Sequence, residues 1–222
     1  MNSIPRIASS PSPSLKVLDQ PTPSAGAPTI YQIRESIVAC NLCPRLRDYC
    51  TRIGETRRRA YIDHTYWSRP VPGFGNPRAR ILILGLASKP RAVSRDDGLR
   101  LRNAWIASVV RCAPPGDKPT PQEIRNCAAH LTAEIAALKK VRVVVCLGKI
   151  AWDGFLAHLL LTGVIARRSD YRFAHGAEYI LPNGLHLLGS YHPSLRNTNT
   201  GRLNRVMFTR IFVRARALAG LS

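Results

Sequence analysis

The chain has 222 residues, enough for one sizeable α/β domain or two small ones, and 45% of them are hydrophobic, so a real core is possible. Lysine and arginine total 33 against 13 aspartates and glutamates, a formal charge of +20. That excess favours a polyanion partner, nucleic acid above an anionic membrane surface, since no stretch approaches a membrane span.

In chain order, residues 1–29 are rich in Pro, Ser and Ala and read as a disordered tail. No apolar segment with a cleavage site marks a signal peptide. Six cysteines without such a leader argue against a disulfide framework and for metal ligation in a reducing compartment. Residues 30–50 read as a helix leading into the CNLC turn at 40–43, with Tyr31, Arg34 and Ile37 at helical spacing. Residues 51–62 carry a run of arginines, either a solvated face or a phosphate-contacting patch. A Pro/Gly loop follows, then ILILGLA (81–87), an apolar run that reads as a buried parallel strand.

AWIASVV (104–110) is a second apolar run. Sixteen residues, SKPRAVSRDDGLRLRN, join it to the first, and they make an unconvincing crossover helix. Next comes a helix from Pro121, with Thr120 and Glu123 at the offset of a capping box. VRVVVCLG (141–148) is a third strand, followed by a helix from Lys149. LHLLGSYHPS (185–194) is a fourth strand running into a loop, and 202–218 is a basic amphipathic helix. Alternating strands and helices predict an α/β, three-layer α/β/α sandwich with a mostly parallel four-stranded sheet spanning 30–222.

Cys40 and Cys43 form a C-x-x-C, and Cys112 and Cys127 lie fifteen residues apart further on. A close pair, a long gap and two more cysteines can close a four-thiolate site for zinc or for an iron–sulfur cluster. Buried free thiols are the plainer reading. Cys146, inside VRVVVCLG, reads as a packed strand residue, whereas Cys50 could compete for the metal.

Five segments carry a resemblance: TYWSRPVPGFGNPRARILILGLA (65–87), VRCAPPGDKPTPQE (110–123), VVVCLGKIAW (143–152), FAHGAE (173–178) and GSYHPSLRNTNTGRL (189–203). On these the chain resembles the type-5, iron–sulfur branch of the uracil-DNA glycosylase superfamily, over nearly everything from residue 40 onward. The resemblance implies that Cys40, Cys43, Cys112 and Cys127 ligate a [4Fe–4S] cluster of structural role. It also implies a cytoplasmic, nucleoid-associated bacterial monomer that removes uracil, with other deaminated bases as a wider option, from double-stranded DNA. One departure stands out. In the family the first G-L-A is followed by a long motif whose aspartate orients or activates the attacking water and whose Phe stacks on the flipped base. Here Gly85-Leu86-Ala87 runs straight into the stretch that follows the family's second G-L-A. No residue inherits those two roles; Asp96 and Asp97 align with the linker, and Asp117 stands where the family often has Asn. A catalytically impaired DNA-binding protein, or a decayed gene product, is therefore the competing expectation.

Excising a base leaves the sugar cationic and the base anionic, so the leaving base needs a donor and the nucleotide must be flipped out of the duplex. His192 follows a strand and precedes Pro193, which suits a rigid donor aimed at a carbonyl oxygen of the leaving base, as the resemblance also implies. Ser194 is expected to contact a phosphate, and Leu195 and Arg196 to wedge into the space left by the base. Asn197, Thr198, Thr200 and Arg202 are expected to hold the loop or grip the backbone. Gly85 is expected to let DNA approach a strand end.

Overall fold

A computed structural model describes residues 27–56, 67–87 and 100–221. Most of the expected tail, the later part of the arginine run, and Asp96 and Asp97 lie outside the described residues.

The segment expected as one helix over 30–50 is two. Helix α1 (Ile30–Val38) opens on a capping box: the Thr29 side chain accepts from the Gln32 N–H, and the Gln32 side chain accepts from the Thr29 N–H. It buries Ile33 and Ile37, one turn apart, whereas Tyr31 of the expected stripe is exposed. The chain leaves the helix at Ala39 and restarts at Pro44, whose missing N–H costs nothing in a first turn, as α2 (Pro44–Thr56). The C-x-x-C occupies that break.

The four expected strands are present as β2 (Ile81–Ala87), β3 (Ala104–Val110), β4 (Val143–Leu147) and β6 (His186–Ser190). They lie parallel in the order β3-β2-β4-β6. Two short strands, β1 (Phe74–Gly75) and β5 (Glu178–Ile180), add antiparallel edges, so among the described residues the sheet has six strands and is mixed at its margins. Neither edge strand has enough residues to show a period.

Alternation sorts the strands onto two faces. Leu82, Leu84, Val144, Cys146 and Leu187 pack into the core under α3 (Pro121–Ala137) and α4 (Lys149–Leu161). Ile81, Val143, Val145 and Leu188 meet Ile211, Ala215 and Ala219 of the closing helix α6 (Arg205–Leu218) and its end. Helix–sheet–helix layering is the expected sandwich. α4 is buried through its middle, where Trp152, Phe155, Leu156 and Leu159 are each removed from water, and exposed at its two ends. Each such side chain stabilises the fold by about 1.5–3 kcal/mol. Thr132 Oγ1 meets His158 Nδ1 at 3.0 Å and joins α3 to α4. Thr120 and Glu123 form the expected capping box at the head of α3.

Among the described residues no helix is long and apolar enough to cross a membrane.

Candidate functional site

Parallel strands put their carboxyl ends on one edge of the sheet, where open α/β sheets bind ligands. Register brings Leu84, Cys146 and Gly189 level, so β4 and β6 end at Leu147 and Ser190 beside Gly85 of β2, which runs on to Ala87. A Cβ on Gly85 would meet nothing closer than the Ala107 carbonyl at 4.0 Å, so packing does not require glycine there. Its bare backbone leaves room above β2 among the described residues.

From Ser190 the chain turns through Tyr191–Ser194 into the short helix α5 (Leu195–Asn199). His192 sits half-exposed in that turn. Its carbonyl accepts from the Ser194 N–H and from Asn197 Nδ2, both at 2.8 Å, so Asn197 holds the loop as expected. Ser194 flanks α5 but its hydroxyl makes no capping bond. Leu195 is 73% exposed, and Arg196 beside it is exposed as well. Thr198 and Thr200 turn their hydroxyls back onto the α5 carbonyls of Leu195 and Arg196. Buried Leu203, whose N–H reaches the Asn197 carbonyl, anchors the far end of the loop.

Three residues without an assigned role in the sequence complete this edge. Gly148, at φ 92°, links β4 to α4 and donates its N–H to the Ser190 carbonyl at 2.7 Å. A Cβ on it would press on His192 Cβ at 3.2 Å, so glycine is required here both by backbone and by neighbour. The Tyr191 N–H donates to His175 Nδ1 at 3.2 Å, and the two rings stack with centroids 5.2 Å apart. Burial lowers the His175 pKa from 6.5, which favours the neutral ring that can accept. Arg202 places its guanidinium 4.6 Å from the Tyr191 ring centre. The quoted FAHGAE contains His175, but nothing in its local pattern tells which loop it meets.

A second region joins α2, the end of β3 and α3. Arg45 makes a two-pronged pair with Glu123 at 2.8 Å on each arm, tying the start of α2 to the head of α3. That guanidinium holds the Glu123 carboxyl below its usual range, and Glu123 in turn raises the Arg45 pKa. Asn126 donates to the Leu42 carbonyl and to Cys43 Sγ at 3.4 Å, placing the C-x-x-C beside Cys127. Burial raises the Cys127 thiol pKa, the Arg111 backbone N–H opposes that as a donor, and Cys43 and Cys40 raise it further by their charge. Cys50 donates to the Ala113 carbonyl at 3.7 Å and lies near Cys112, and the interaction of the two thiols lowers the Cys50 pKa and raises that of Cys112. Arg47, a turn before Cys50, also reaches Cys112. Cys146 is fully buried in β4 with its thiol pKa raised by burial, a packing residue as expected.

Among the described residues no three Cys, His, Asp or Glu side chains gather as they would around one metal ion. The surroundings nevertheless suit an anionic group. Arg111 is 1% exposed and pairs with fully buried Glu134 at 2.7 Å, yet its Nε and Nη1 have no partner. His130 Nε2 and Arg47 Nε are also buried without partners. An unmet buried donor costs about 1–3 kcal/mol, so this much unmet donor capacity marks a place for an acceptor the protein does not supply.

The model of the uracil DNA glycosylase superfamily matches residues 72–216, most of the chain. A type-5 uracil-DNA glycosylase of Thermus thermophilus is 43% identical over 84% of this chain and 97% of its own. The chain belongs to the uracil-DNA glycosylase superfamily, in its type-5 branch. Relatives named alike in Mycobacterium bovis and Pyrobaculum aerophilum are 37% and 36% identical over 89% and 83% of this chain, and 85% and 91% of theirs. The Thermus alignment runs over 219 positions while using 84% of 222 residues, so that relative carries residues for which this chain has none.

Proposed function

We propose that this chain excises uracil from double-stranded DNA by hydrolysing the bond between the base and sugar C1′. The observation that carries the reading is the His192 turn, clamped at its carbonyl by Ser194 and Asn197 at the carboxyl edge of the sheet. A donor fixed before substrate arrives stabilises the departing uracil anion without reorganising, which is where most of such catalysis comes from. His192 is the proposed donor. Leu195, apolar yet held out in solvent, is suited to fill the stack when the nucleotide flips out, with Arg196 beside it. Ser194 and Arg202 would grip the backbone, and Gly85 would let the base approach β2. The charge of +20 supplies sequence-independent attraction to phosphate.

A [4Fe–4S] cluster on Cys40, Cys43, Cys112 and Cys127 is part of the proposal. It is supported by the type-5 lineage and by the unmet donors of Arg111, His130 and Arg47 in the region that joins α2, β3 and α3. When bound it would supply a structural tie between the start of α2 and the β3–α3 junction. Cys112 would then leave Cys50.

The test is a duplex with one uracil, incubated with the purified chain and then treated with alkali. Strand scission at the uracil, and none in a duplex with thymine there, is the expected outcome. Salt-sensitive binding without scission would instead support the impaired reading.

A further inference from the structure

We propose that Arg111 is the buried cation of the cysteine centre, donating from Nε and Nη1 to the sulfur of the cluster proposed above, with Glu134 as the residue that positions it. The inference rests on that cofactor reading.

Cys127, His130 and Glu134 fall on one side of α3, at helical spacings of three and four. Arg111 follows β3 and lies against this side. Its Nη2 donates to Glu134 Oε2 at 2.7 Å. The other Glu134 oxygen is taken by the Gly73 N–H, also at 2.7 Å, so the carboxylate does not close a two-pronged pair with the guanidinium. The remaining donors of a group that is 1% exposed end without an acceptor. At the other end of the side, the Arg111 charge acts on Cys127 and on His130. Its neighbour in sequence is Cys112. A buried cation with spare donors therefore adjoins one proposed ligand in sequence and pairs with the side of α3 that carries another. Thiolate-ligated clusters are anionic, and hydrogen bonds and charge at their sulfurs set their reduction potential.

The sign of each substitution follows. Removing the Arg111 charge makes electron uptake harder and lowers the midpoint potential. Removing the Glu134 charge raises it. A role confined to packing would move both variants the same way or neither.

The experiment uses the full chain, reconstituted anaerobically with iron and sulfide, with iron and sulfide counted per chain and the potential read by reductive titration. We expect Arg111→Gln to lower the potential, Glu134→Gln to raise it, and Arg111→Lys to fall between wild type and Arg111→Gln. Equal or same-direction shifts in a wild type that carries the cluster overturn this inference alone. If Arg111→Gln does not fold, opposite shifts in Arg111→Lys and Glu134→Gln still support it, and shifts of one sign still overturn it. A wild type that takes up neither iron nor sulfide overturns the cofactor reading, and this inference with it.

Discussion

Around His192 the chain closes on itself: the carbonyl has two donors, the Tyr191 N–H has His175, and Leu203 plugs the loop end. No buried side-chain polar atom between Ser190 and Leu203 lacks a partner. Between α2, β3 and α3 the opposite holds. Among the described residues, five of the six unpartnered buried atoms belong to Arg47, Trp105, Arg111 and His130, which line that region. Burying polar groups without partners is costly, so the two regions have different requirements. The turn is organised by the protein's own hydrogen bonds. The cysteine region holds most of the buried donors left without partners among the described residues, which is why the cofactor is proposed there.

The largest effect should come from Glu134→Ala, which strands the buried Arg111 charge. We expect about 3–5 kcal/mol of lost stability in denaturant unfolding. A loss under about 1 kcal/mol would mean the pair is not buried as described. Gly148→Ala probes the other region, forcing a side chain to φ 92° and onto His192. It should cost about 1–3 kcal/mol and slow uracil release, while leaving iron content unchanged. Loss of iron in that variant would break the separation between the two regions. Leu195→Ala should leave stability within about 0.5 kcal/mol, since the side chain is exposed, yet raise KM for a uracil duplex.

The smallest effect is a pH dependence. Arg45 depresses the Glu123 pKa below 4.5, so their tie is complete above the unfolded value. It is lost as pH falls through the depressed one. Acid titration of Arg45→Ala should therefore show a shallower loss of stability below pH 4.5 than wild type.

What the sequence carried is uneven for physical reasons. β2 and β3 were legible to the residue because buried parallel strands are apolar on both faces and end in polar loops. The head of α3 was legible because a capping box is a local pattern. His192 was reachable because a strand running into His-Pro makes a fixed turn, and family resemblance gave it a task. β1 and β5 were not, because they exist only through their neighbours. Arg111 and Glu134 were passed over as well, since a buried pair 23 residues apart leaves no local mark. The cysteines fall between: their spacing named a site, but spacing could not show that Cys112 also lies within reach of Cys50.

The central claim is that His192 stabilises the departing base. The direct measurement is the single-turnover rate of uracil release from a duplex, wild type against His192→Ala, with DNA affinity measured alongside. The account predicts a wild-type rate reduced about a hundred- to a thousand-fold in the variant, with affinity for DNA little changed. Equal rates in the two proteins, or no release by a wild type that binds the duplex, would contradict it.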